Sequence, residues 1–245
     1  QAPLSYAWLP VTGLNDPSVA NPTATLSVAS ESYTLTVTDG NNCSAVSTPL
    51  TVTNFGFGGT PGLWTGSVNN DWNNCRNWSD GKVPTATTNV VINQTSANNC
   101  QVDGAAFCNS LEISSNDNNS PDLVIISSGV LTVSNDVLIQ KSAGSGFSKL
   151  IMMGAAGLSC HDLSVTGFNA GEGNAVFLNE DIASQATING ELLINQGGKV
   201  ILTDGNNLTP DATLHLKGNF TNNAQTDDFV GDLSTLIFDG TSTQV

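Results

Sequence analysis

The sequence predicts an all-β protein: a partial antiparallel β-sandwich followed by a parallel, right-handed β-helix solenoid. Three observations predict it. The first 53 residues alternate apolar and polar side chains with a period of two, the signature of half-buried strands. From residue 90 onward, short apolar pairs separated by Asn-, Gly- and Asp-rich turns recur along the chain. Nowhere does an apolar period of 3.6 appear, so neither region reads as helical.

Residues 1–53 form the first predicted domain. Its strands are Thr25–Val28, with Leu26 and Val28 on one face; Tyr33–Thr38, with Tyr33, Leu35 and Val37; and Leu50–Thr53, with Leu50 and Val52. Asp39-Gly40-Asn41-Asn42 is a hairpin turn between the last two. Fifty-three residues fall short of a complete sandwich, which needs roughly 100, so this unit is expected to lack its first strands. Residues 54–62, Asn-Phe-Gly-Phe-Gly-Gly-Thr-Pro-Gly, read as a Gly-rich linker.

Residues 63–245 read as the β-helix. It opens with Trp64, Trp72 and Trp78, expected to bury themselves over the first coil as an N-terminal cap rather than to form a sugar platform. Leu111/Ile113, Leu131/Val133, Leu192/Ile194, Leu214/Leu216 and Leu236/Phe238 repeat one strand signature, giving an expected period of 20 to 25 residues. Cys108-Asn109-Ser110-Leu111-Glu112-Ile113 echoes Cys160-His161-Asp162-Leu163-Ser164-Val165. A leucine-rich repeat has a similar period, but its frame fits only near Leu111 and helical segments are missing. Three strands per coil fit better, and a second sandwich is the remaining rival.

Charge narrows the function. Charged residues are 11% of the chain, and 21 Asp+Glu against 6 Lys+Arg leave a formal charge of −15. Nucleic-acid binding needs basic patches that displace phosphate counterions, so no nucleic-acid partner is expected. No segment has the roughly 20 apolar residues of a membrane span, so no membrane insertion is expected either. No secretory leader opens the chain, which points to a processed or internal segment.

Candidate chemistry is sparse. His161-Asp162 and His215 are the two histidines, and no Gly-x-Ser-x-Gly elbow accompanies them. Asp227-Asp228 resembles a glycosidase carboxylate pair, but adjacent strand residues face opposite ways, so a solvated turn is the expectation. Asp39-Gly40-Asn41-Asn42 and Asp204-Gly205-Asn206-Asn207 are weak Ca²⁺ candidates through Asp39 and Asp204, though turn formation explains both. No other metal and no cofactor is expected. Among Cys75, Cys100 and Cys108 one disulfide is expected; Cys160 is expected buried and reduced.

Two passages carry a resemblance. The first runs from Ser5-Tyr6-Ala7-Trp8-Leu9-Pro10 through Gly13-Leu14 and Asn21-Pro22 to Tyr33, Thr38-Asp39-Gly40 and Cys43. It resembles the Ig/PKD-like repeats of giant Bacteroidota gliding adhesins (SprB-like). The second spans Trp64-Thr65-Gly66, Asp71-Trp72-Asn73, Asn77-Trp78-Ser79-Asp80-Gly81-Lys82-Val83-Pro84 and Asn89-Val90-Val91-Ile92. It is similar to the start of β-helical repeat regions in the same proteins. The resemblance implies type IX secretion, an extracellular location on the bacterial outer surface, and a role in cell adhesion, gliding motility or surface filaments. It also implies that Cys43 pairs with a cysteine near the start of its own repeat, a stretch this chain does not contain. No C-terminal sorting domain of that pathway is visible. The expected function is a non-catalytic structural segment of an adhesin or fibre. Its expected partners are neighbouring repeats or identical subunits, with surface polysaccharide as a further ligand. A polysaccharide-degrading β-helix enzyme and a carbohydrate-binding module are the alternatives.

Overall fold

The computed structural model describes every residue except 1–2, 94–97, 116–117, 119, 170–173, 180–182, 203–211, 225–228, 231–233 and 241–245. The chain divides into two compact units, Gln1–Gly59 and Thr60–Val245. Among the described residues no helix is long and apolar enough to cross a membrane.

The first unit is one antiparallel sheet of β1 (Ser5–Leu9), β2 (Ser30–Thr38), β3 (Ser44–Val46) and β4 (Leu50–Thr53). The nine-residue β2 is its spine: Tyr6 and Trp8 of β1 lie opposite Val37 and Leu35, and β4 pairs with residues 30–33. Tyr33 is buried, and its hydroxyl donates to the Thr12 carbonyl at 2.8 Å. Two expectations are corrected here. Thr25–Val28 is not a strand; Ala24 bridges Leu14 and the Thr25 amide donates to the Gly13 carbonyl, so the segment is a loop tied to residues 13–14. The strand the pattern missed is β1, whose tight Tyr-Ala-Trp spacing is masked by Pro10 just after it. The Asp39–Asn42 turn does close a hairpin, but onto β3 rather than β4.

The second unit is a parallel solenoid of three six-stranded sheets. Each tier contributes one strand to each sheet. The tiers are β5 (Asn89–Ile92), β6 (Cys100–Val102) and β7 (Ala105–Cys108); β8 (Ser110–Ser115), β9 (Asp122–Ile125) and β10 (Val130–Val133); and β11 (Val137–Lys141), β12 (Ser148–Met152) and β13 (Gly157–Cys160). There follow β14 (Leu163–Thr166), β15 (Ala175–Asn179) and β16 (Gln185–Ile188); β17 (Leu192–Ile194), β18 (Gly198–Ile201) and β19 (Thr213–Leu216); and β20 (Phe220–Asn222), β21 (Phe229–Val230) and β22 (Thr235–Phe238).

Alternation explains the stacking. Along each strand one residue in two turns inward, and registers hold those residues in columns. One column runs Val90, Leu111, Val137, Leu163, Leu192, Phe220. All but Phe220 are buried. Each aliphatic side chain so buried contributes roughly 1.5–3 kcal/mol, which no single tier could gather alone. The true tier step is therefore 26 residues from Leu111 to Val137, and 29 from Leu163 to Leu192. The expected step of 20 from Leu111 to Leu131 links two different sheets, β8 and β10, and is not a tier repeat. The Cys108/Cys160 echo does mark equivalent places. Cys108 sits opposite Val133 on β10, and β10 pairs with β13, which ends in Cys160.

The segment before β5 closes the first tier. Leu63 bridges Val91 and Asp71 bridges Gln101, both in parallel sense, so the segment adds to the outer edges of β5 and β6. Trp64, Trp72 and Trp78 are 1%, 0% and 2% exposed and belong to the same core as the strands. Trp78 meets the other two edge-to-face, with ring centroids 5.0 and 4.8 Å away. Apolar rings placed here substitute for the tier that would otherwise lie below.

Candidate functional site

Polar chemistry concentrates at the corner where each tier passes from the β7–β22 sheet to the β5–β20 sheet. The corners are short: Asn109, then residues 134–136, 161–162, 189–191 and 217–219. Backbone bonds hold them in register. The amides of Leu111, Val137, Leu163 and Leu192 donate to the carbonyls of Asp136, Asp162, Glu191 and Asn219, all within 2.8–3.0 Å. Those four residues therefore occupy one backbone column with three acidic residues on successive tiers; the Glu191 carboxylate accepts from Thr221 Oγ1 at 2.5 Å. A neighbouring column runs Asn109, Asn135, His161, Gly190 through amide-to-carbonyl bonds of 2.7–2.8 Å.

Side chains follow the same ladder. Asn109 Nδ2 donates to Asn89 Oδ1 at 2.7 Å, and Asn135 Nδ2 to Asn109 Oδ1 at 2.8 Å. The amide ladder ends at His161. Its Nδ1 lies 3.0 Å from Asp162 Oδ1 and 3.6 Å from Asp136 Oδ1. Backbone amides fix both carboxylates: Glu191 N donates to Asp162 Oδ1 at 2.6 Å, and Asp162 N to Asp136 Oδ1 at 3.3 Å. Gly190 makes the approach possible, since a Cβ there would fall 2.0 Å from Asp162 Oδ1. Asp136, His161 and Asp162 thus offer three ligand atoms within 4.8 Å of one another, open to solvent. His215, facing outward from β19, is half-buried and pairs with Asp239 Oδ2 at 2.9 Å. Lys217 Nζ reaches Asn189 Oδ1 at 3.1 Å.

A second polar feature lies beside the capped end. Asn70, Asn98, Asn99, Cys100, Gln101 and Val124 line a groove of about 430 Å³. An adjoining hollow of about 280 Å³ adds Asp71 and Asp103. Asn77, to which the sequence assigned no role of its own, organises this end. It is fully buried; its Oδ1 accepts from the amides of Val68 and Asn69, and its Nδ2 donates to Asn69 Oδ1 and the Asp71 carbonyl. Its position between two tryptophans was the available signal: a polar residue in a buried aromatic segment must satisfy loop backbone.

The remaining candidates separate. All three cap tryptophans are buried and offer no open ring face to a sugar. All five cysteines are free, so the disulfide expected among Cys75, Cys100 and Cys108 is corrected: Cys75 is exposed on the 3-10 turn Cys75–Asn77, while Cys100 and Cys108 point into the core from β6 and β7. Burial pushes the thiols of Cys108 and Cys160 up to about 12, and that of Cys100 well above its ordinary value, with nearby Asp71 and Cys108 adding to the last. Such thiols stay protonated and unreactive. Cys160 is buried and reduced. The Asp39 carboxylate accepts from the amides of Asn41 and Cys43, both at 2.9 Å, so its own turn consumes it. Asp204 and the Asp227-Asp228 pair lie outside the described residues.

No curated protein and no solved structure matches the chain. Residues 63–148, from the tryptophan cap to the start of β12 and about a third of the chain, match the family DUF8693, a domain of unknown function.

Proposed function

We propose that the chain is a non-catalytic structural segment of a secreted bacterial surface adhesin or extracellular fibre. The carrying observation is the in-register stacking of three six-stranded parallel sheets around a continuous aliphatic core. In this architecture each tier contacts only its neighbours, so length is added without redesign. The acidic surface and the resemblance to gliding adhesins support an extracellular place on the bacterial outer surface. Association follows from two apolar surfaces. The β1–β4 sheet leaves Leu9, Val46 and Leu50 exposed, and Phe220, Phe229 and Leu236 of the last tier are only partly covered. Neighbouring repeats or identical subunits are the partners such edges take.

Analytical ultracentrifugation and electron microscopy of the purified chain over a concentration series test this. Concentration-dependent assemblies are expected, and dispersed monomers throughout overturn self-association. Surface labelling of intact cells with an antibody to the chain tests location. Turnover of uronate or neutral polysaccharides by the chain overturns the non-catalytic reading.

One observation favours a second reading, a carbohydrate-binding module. The groove beside Asn70, Asn98, Asn99 and Gln101 presents amides, which pair well with sugar hydroxyls. A glycan array separates the two: saturable binding lost in Gln101→Ala supports it.

A further inference from the structure

We propose that Asp136, His161 and Asp162 form a binding site for a zinc-class divalent transition ion, one that staples two successive solenoid tiers. Asp136 comes from the corner before β11, and His161 and Asp162 from the corner before β14. A bound ion would therefore add a metal cross-link between tiers joined there by backbone bonds and by the Asp136 carboxylate's contacts with the Asp162 amide and His161.

Three properties of the cluster carry this. The first is geometry. Metal–ligand bonds of about 2.0–2.2 Å place neighbouring donors roughly 3.0–3.5 Å apart in octahedral or tetrahedral sites. Nδ1 of His161 lies 3.0 and 3.6 Å from the two carboxylate oxygens, and all three atoms fall within 4.8 Å. The second is donor chemistry. An imidazole beside two carboxylates suits Zn²⁺, Co²⁺ or Ni²⁺, whereas Ca²⁺ and Mg²⁺ take oxygen alone. The third is electrostatics and order. The registers place Asp136 and Asp162 on successive tiers, whose backbones are about 4.8 Å apart as neighbouring strands are. Like charges so placed repel, and a dication relieves that repulsion. The carboxylates are already aimed by the Glu191 and Asp162 amides, so little side-chain freedom is lost on binding. Solvent on the open side completes the coordination shell.

His215 and Asp239 supply an internal control. They form one imidazole–carboxylate contact of 2.9 Å; no third ligand joins them among the described residues. A simple histidine–aspartate pair would make the two sites alike, and a metal site makes them different.

The test uses the full chain carrying Cys43→Ser and Cys75→Ser, which removes both exposed thiols. Zn²⁺ is titrated by calorimetry, and Co²⁺ by its visible absorption. One equivalent of each ion is expected, with no thiolate charge-transfer band, and excess Ca²⁺ does not displace it. Zn²⁺ also raises the solenoid's melting temperature. His161→Ala and Asp136→Asn each weaken binding at least tenfold and abolish the thermal shift, while His215→Ala changes neither. Circular dichroism establishes that each variant is folded, and Asp136→Asn, which preserves shape, stands in if His161→Ala is not. No binding, binding unchanged in both site variants, or equal loss in His215→Ala overturns the proposal.

Discussion

Gly218 carries a constraint out of proportion to its size. An added Cβ would sit 2.1 Å from the Gly190 carbonyl oxygen of the preceding tier, a backbone atom that registers hold in place. Gly218→Ala is therefore expected to destabilise the solenoid by roughly 1–3 kcal/mol, measured by urea unfolding. The buried thiols make a second residue-level prediction. Under native conditions a thiol reagent should modify Cys43 and Cys75 alone, and reach Cys100, Cys108 and Cys160 only on denaturation. The pH dependence follows in sign. Burial raises the folded thiol pKa of Cys108 and Cys160 from 9.0 to about 12. Below pH 9 both states hold the proton and stability is complete. Between 9 and about 12 the unfolded chain loses protons that the folded chain keeps, so stability falls as pH rises. A melting temperature that stays level across that window would contradict the burial.

At the scale of elements, the tryptophan segment and the strands depend on each other. Trp72 has no exposed surface, and its amide donates to the Gln101 carbonyl of β6 at 2.9 Å. Trp72→Ala is expected to cost about 3–5 kcal/mol. It should also weaken amide-exchange protection in β5 and β6 before it does in β14 or β17, a gradient that hydrogen-exchange mass spectrometry reads directly. The strands themselves were legible in the sequence, because Leu111/Ile113 or Leu214/Leu216 mark inward faces wherever they occur. Their grouping into tiers was not. All three sheets use the same two-point signature, so Leu111 and Leu131 look like successive repeats while lying on different sheets of one tier. Corner loops of varied length blur the period further. The Cys108/Cys160 echo was a better guide, since a buried cysteine followed by a polar corner marks one specific corner of the tier. The clustering of Asp136 with His161 and Asp162 was invisible, because it depends on a register that spacing alone does not supply.

At the scale of the molecule, the two units differ in how much they bury. Among the described residues of Gln1–Gly59, Tyr33 is the single buried hydrophobic side chain, whereas the solenoid core runs from Trp64 to Leu216. Units so unequal should melt separately. Calorimetry is expected to show a small transition for the β1–β4 sheet at lower temperature and a larger one for the solenoid. Tyr33→Ala should move the first and leave the second in place, and a single cooperative transition would contradict this division.

The sheet hydrogen bonds of the solenoid run from tier to tier, along the direction in which the tiers stack. A pull on that axis meets these bonds end-on and spends itself on the outermost tier first, while deeper tiers stay shut. Under tension along that axis, such a stack would give way in small, repeated steps. Each step would let out one tier's length of chain and dissipate work, so the stack would yield gradually under load instead of snapping.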